Sequence, residues 1–241
     1  MPEISIKAET IFHIGSLAVT NSMFMGFIAA LLIVVVALII HAGLKPVPGK
    51  LQSIFELFIE QALELMDTIL GSRTASLRYL PIVGSIFLFI LASNWLGLLP
   101  LSHILVGHAP LFRAATADLN FTIALAIISV LAVNILGAAA IGLGKHAGKF
   151  FHNPFKDPIM AFVGILELIS EFVKIISFSF RLFGNVFAGE VLLTIVAFLV
   201  PYAVPLPFLF LEVFVGLIQA LIFSMLTLVF LGMSTKLEVN H

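Results

Sequence analysis

One stretch of the chain concentrates the residue types that can do chemistry in an apolar setting. In ILELISEFVKIISFSFRLFGNVFAGEVLL, the polar residues Glu167, Ser170, Glu171, Lys174, Ser177, Arg181, Asn185 and Glu190 are separated by Leu, Ile, Val and Phe. A helix turns about 100° per residue, so Ser177, Ser170, Lys174, Asn185 and Glu167 fall within about 40° of Arg181, and Glu171 at about 80°. They form one polar stripe. Glu190 falls on roughly the opposite face and must address a different partner or aqueous route. Further on, Glu212 and Gln219 share a helix face, with Gly216 between them leaving room for another helix or water.

The charges in this region differ in what they can do. An arginine in hydrocarbon costs from about 2.5 kcal/mol to 10 or more, depending on how the cost is measured. It does not shed its proton, so Arg181 is a permanent positive charge. A carboxylate can become neutral by taking a proton. Glu190 and Glu212 can therefore carry or relay protons, while Arg181 repels protons and attracts a passing carboxylate. A static Arg181–Glu212 pair tying two helices together is the structural alternative. Asn94, Asn120 and Asn134 suit helix packing through hydrogen bonds.

The elements that position these residues are membrane helices. The chain has 241 residues, 61% hydrophobic and only 10% charged, with a mean hydropathy of +1.20. A soluble domain carries about 25% charged residues. A first span has its apolar core from Met23 to Ile40. Glu3, Lys7 and Glu9 precede it and a Pro-containing segment follows it, so it is a retained helix rather than a cleaved signal. Residues 1–20 are mildly polar and suit the membrane surface. Residues 50–70 carry Glu56, Glu60, Glu64 and Asp67 at helical spacing among apolar residues, an interfacial amphipathic helix. A second span has its core at 80–99, with Trp95 as an interfacial anchor. A third runs from Leu119 to Leu143, and its Gly137–Gly142 end allows another helix close approach. GKHAGKFFHNPFKDP is a polar turn. The run from Pro158 to about Val200 would measure roughly 60 Å if straight, twice the hydrocarbon thickness. It must tilt, bend or begin outside the core. A last helix spans about Phe208–Leu231. The expectation is an all-α integral membrane protein with five transmembrane crossings, an interfacial helix and two long, tilted last helices. Residues 1–241 form a single membrane domain, with 158–231 a helical hairpin.

Several functions are excluded. There is no cysteine, hence no disulfide, thiolate catalysis or Cys metal site. The histidines, His146 among them, flank the spans and have no metal-ligand spacing, so no metal or cofactor is expected. There is no phosphate-binding loop. A net charge of -1 gives no basic field for nucleic acid. Lys45, Lys50, Arg73, Arg78, Lys145, Lys149, Lys156 and Lys236 would share one side, against Lys7 and Arg113 on the other. This bias sets the N-terminus outside and the C-terminus inside. A proton-coupled secondary transporter would need repeated halves and matching helix breaks, which the sequence lacks. A purely structural subunit would not need Arg181.

RLFGN at Arg181–Asn185 followed by AGE at Ala188–Glu190 resembles the signature of the a subunit of F-type ATP synthases. NxxGLLP at Asn94–Pro100, TADLNFT at Thr116–Thr122, Leu166–Glu167 and the Gln219 helix are similar too, so the resemblance covers nearly the whole chain. It implies a stator subunit of the membrane sector, itself without a nucleotide site, in a bacterial inner membrane. The implied partners are a c-subunit ring, b-type peripheral stalk subunits, the F1 sector, the lipid bilayer and protons. Arg181 would face the ring carboxylate. Asn185, Glu190, Glu212 and Gln219 would serve the outer proton path, and Glu167, Ser170, Glu171 and Lys174 the inner one. Asn94, Asp118 and Asn120 match further polar positions. Some relatives have histidine in place of Glu212, and many have proline after the lysine where Ile175 stands here.

Overall fold

A computed structural model describes residues 8–46, 48–99, 105–106, 109–110, 113–150, 158–200 and 203–235. Strands β1 (Thr10–Ile14) and β2 (Leu17–Thr20) pair antiparallel. The helices are α1 (Asn21–Ala42), α2 (Lys50–Leu70), α3 (Arg73–Gly97), α4 (Leu119–Ile141), α5 (Leu143–Gly148), α6 (Pro158–Leu199) and α7 (Pro205–Thr235). Strands β3 (Leu105–Val106) and β4 (Ala109–Pro110) pair between α3 and α4, and a 3-10 turn at Ala115–Ala117 leads into α4.

Among the described residues, five helices are long and apolar enough to cross a membrane: α1, α3, α4, α6 and α7. The chain is thus an all-α, multi-pass membrane protein with two small hairpins added. In α1 the apolar residues run without interruption, so all backbone groups must be satisfied within the helix. Thr20 caps its start, accepting from the Met23 amide at 3.3 Å. The Asn21 amide donates to Glu9 O at 3.0 Å, and the Asn21 side chain accepts from the Glu9 amide at 3.3 Å. Residues 10–20 are therefore a hairpin fastened to the head of α1, where the sequence suggested only a surface segment.

Boundaries shift at three further places. The second span begins at Arg73, and its helix runs on through Pro81, whose missing N–H leaves the Leu77 carbonyl without an intrahelical donor. The polar turn after α4 contains α5, set off by Gly142 at φ +93°. The last helix starts at Pro205, where a proline needs no amide partner, and ends at Thr235. α2 closes at Leu70, and Gly71 just beyond it, at a left-handed φ of 72°, turns the chain sharply into α3.

The core has two layers. Ile86, Phe87 and Ile90 of α3, Leu125 and Ala126 of α4, Phe178 and Leu182 of α6, and Ala220 and Phe223 of α7 form one. Met66 and Leu70 of α2, Tyr79 and Val83 of α3, Val133 of α4, and Leu228 and Leu231 of α7 form the other. The sequence foresaw close approach at two glycines. A Cβ at Gly137 would collide with Ser234 of α7, and one at Gly216 would lie 3.2 Å from Asn94 Cβ. α6 is one uninterrupted helix of 42 residues, about 60 Å long. Ile169, Phe172, Val173, Ile176 and Phe180 leave an exposed apolar face along it.

Candidate functional site

The polar face of α6 sits between α4 and α7 on one side and open space on the other. Leu182 and Phe178 are buried in the core, which turns Arg181 outward. Arg181 is exposed, and its Nη2 donates to Ser177 Oγ one turn back at 3.2 Å. Among the described residues no carboxylate lies within ion-pair distance of it. The static Arg181–Glu212 pair is not formed.

Next to Arg181 the stripe is tied to α7. Asn185 Nδ2 donates to Gln219 Oε1 at 2.6 Å. Gln219 is only 2% exposed, and its Nε2 makes no hydrogen bond among the described residues. Glu212 lies against Gly189, where any Cβ would run into its carboxylate. Gly189 is therefore the gap through which Glu212 reaches α6. Asn94 fixes the other side of α7: its Nδ2 donates to Gly216 O at 3.1 Å, and Thr116 Oγ1 donates to its Oδ1 at 2.7 Å. Trp95 Nε1 donates to Val213 O at 3.1 Å, so it binds α7 as well as marking a helix end.

Glu190, pointing away from the stripe as its spacing implies, meets Arg113 at 3.4 Å. Arg113 is 6% exposed and also donates to Ala117 O. Asp118 caps α4 by accepting from the Asn120 amide at 3.0 Å, while Asn120 itself is exposed.

At the other end of α6 a second polar cluster forms. Lys174 Nζ donates to Glu171 Oε1 at 2.7 Å and stands 4.5 Å above the Phe230 ring. Asn134 of α4 donates to Glu171 Oε2 at 3.1 Å and meets His146 Nε2 of α5 at 3.2 Å. Lys149 pairs with Glu167 at 2.5 Å. Lys174 and Glu171 turn in toward α4 and α7, where the helical wheel set them beside Arg181. Lysine's long stem allows it, and Phe230 and Glu171 reward it. Ser170 bonds back to Leu166 O at 2.9 Å and stays exposed. The result is one exposed cation between two carboxylate-bearing clusters at opposite ends of the same helix.

The family profile described as ATP synthase A chain matches residues 23–232. The chain belongs to this family. Among ATP synthase A chain relatives, "ATP synthase subunit a" of Gloeobacter violaceus is 33% identical over 99% of this chain and 93% of its own length. That of Campylobacter jejuni is 33% identical over 95% and 91%. The protein of Stigeoclonium helveticum called "ATP synthase subunit a, chloroplastic" is 36% identical over 85% and 80%.

For this A chain family member, the charged candidates of α6 and α7 stood out in the sequence, but their partners did not. By sequence alone Arg113 is only a loop charge, and Asn134 and His146 are packing and flanking residues. Arg113 and Glu190 are 77 positions apart, and Asn134 and Glu171 are 37 apart. No helical periodicity reaches across such gaps. The only local hint is that Asn134 and His146 bracket the small-residue end of α4.

Proposed function

We propose that this chain is the stator subunit of the membrane sector of an F-type ATP synthase, with two offset proton half-channels kept apart by Arg181. The observation that carries this reading is that Arg181 is exposed on an apolar helix and that, among the described residues, no carboxylate lies within ion-pair distance of it. A permanent charge so placed is available to a carboxylate on another chain. The partner is a ring of c subunits against the open face of α6. Stalk subunits of b type and the F1 sector complete the complex, and nucleotide chemistry belongs to other chains. The membrane is a bacterial inner membrane, with the N-terminus outside, the C-terminus cytoplasmic and α2 at the inner interface.

The half-channels follow from what each group can do. Glu190 and Glu212, with Gln219 and Asn185 beside them, take protons from the outer side and deliver them to a ring carboxylate. The neutral acid can then face lipid at far lower cost than the carboxylate. Rotation brings it to the inner side, near Glu167, Ser170, Glu171 and Lys174, where the proton leaves. The carboxylate is then drawn past Arg181, which favours its ionised form and denies protons a direct route. Each charge moved across the membrane gains about 2.3 kcal/mol per 100 mV.

Arg181→Ala in the assembled complex, reconstituted in vesicles, tests this. ATP synthesis driven by a proton gradient should fall to background, with the complex intact and a passive proton leak appearing. Synthesis coupled at the wild-type rate would refute the reading.

A further inference from the structure

The cluster behind Lys174 contains a group that the proton path above does not use. His146 is 7% exposed on α5. Its Nε2 faces Asn134 Oδ1 at 3.2 Å. The Asn134 amide is not free to turn over, because its Nδ2 donates both to Val130 O at 2.9 Å and to Glu171 Oε2 at 3.1 Å. Reversing it would aim its carbonyl oxygen at two acceptors. Asn134 therefore presents an acceptor to His146, and Nε2 must carry the hydrogen. The basic lone pair of the neutral ring lies on Nδ1. Nδ1 is buried and makes no hydrogen bond among the described residues, and nor does the buried Ser234 Oγ. Both residues adjoin Gly137: a Cβ there would meet the Ser234 side chain and lie 3.2 Å from His146 Cε1.

We propose that His146 is the proton-exchanging group at the inner end of the path, loading and unloading at Nδ1 while Asn134 holds Nε2. This rests on the stator reading and deepens its inner half-channel. A proton released from the ring side converts the neutral imidazole to imidazolium, which then gives that proton to water at the inner face. Nε2–H donates to Asn134 in both charge states, so loading breaks no hydrogen bond. Asn134 is a positioning residue: it sets the tautomer and links the ring to Glu171.

The charges around His146 suit transient loading. Lys145 lies on its own helix, and Lys149 follows at the helix's C-terminal end. From α6, Glu171 faces it through Asn134, Lys174 neutralises Glu171, and Glu167 is engaged by Lys149. α4 contributes only the neutral Asn134 and α7 the neutral Ser234. Burial and the Lys149 charge hold the imidazole below the usual histidine range, against a smaller opposite pull from Glu171. The resting ring is therefore neutral near pH 7 and ready to accept.

The test uses the complete complex in vesicles, with potential-driven proton flux measured across inner pH. His146→Gln keeps a side-chain N–H for Asn134 but has no titrating nitrogen. Wild-type flux should show an inflection below about pH 6.5, the ordinary histidine value. His146→Gln should be about three- to ten-fold slower at pH 7 and lack that inflection. In His146→Ala, imidazole supplied on the inner side should restore flux at least two-fold. Wild-type flux and pH profile in His146→Gln would overturn the proposal. So would slow flux that keeps the inflection or ignores imidazole, which is the mark of a structural role. If Arg181→Ala stayed coupled, the stator reading itself would fail, whatever His146 did.

Discussion

At the scale of single residues, the site depends on side chains that are absent as much as on those present. Gly189 follows Ala188 in AGE, and its missing Cβ is where the Glu212 carboxylate sits. Adding even a methyl to such a packed site typically costs 1–3 kcal/mol, roughly, in displaced side chains. In Gly189→Ala the Glu212 carboxylate must withdraw from α6. Proton flux through the assembled complex should fall several-fold, although no charge has changed. Gly144→Ala, where a Cβ would meet nothing within 4 Å, should leave flux unaltered. Equal flux in both variants would show that Glu212 does not work at Gly189. The sequence offered Arg181, Glu190 and Glu212 because an ionisable residue among Leu and Phe is conspicuous by its cost. It could not offer the glycine's neighbour, since the contact between Gly189 and Glu212 is made only when α6 and α7 fold together.

At the scale of elements, the spans were legible because each is a continuous apolar run of sufficient length, and that signal survives without knowledge of any contact. The hairpin at 10–20 and helix α5 were not, because each is short and held by bonds to distant residues, such as the Asn21–Glu9 pair and the His146–Asn134 contact. The start of α4 shows how a polar residue of the family pattern can serve an element. Asp118 accepts from the Asn120 amide and is 7% exposed. Two residues earlier, Thr116 donates to Asn94, which in turn holds α7. Asp118→Ala should lower stability by about 0.5–2 kcal/mol, the usual worth of a helix N-cap. Asp118→Ser restores a capping oxygen without an ionisable group. If the cap is the role of Asp118, the serine variant should recover both thermal stability and proton flux in the complex. Recovered stability with flux still lost would instead assign the carboxyl to the proton path.

At the scale of the whole molecule, the contacts and the charge bias lead to one sidedness. Arg113 lies in the segment between α3 and α4 and meets Glu190, toward the C-terminal end of α6. Lys149 lies after α4 and meets Glu167, toward its N-terminal end. The two clusters are thus at opposite ends of α6, and the proposed orientation, which follows the positive-inside rule, puts the lysine-rich end in the cytoplasm. Because the chain has no cysteine, single introduced thiols report this directly. Ser16 in the N-terminal hairpin turn, Ser72 between α2 and α3, and Ala147 in α5 are all exposed. In sealed cells, a membrane-impermeant maleimide should label Ser16→Cys. Ser72→Cys and Ala147→Cys should react only after the membrane is opened. The reverse pattern would exchange the outer and inner half-channels: Glu190 and Arg113 would then face the cytoplasm, and His146 would exchange protons with the outside. The chemistry argued for each cluster would stand, but the direction of proton entry would be inverted.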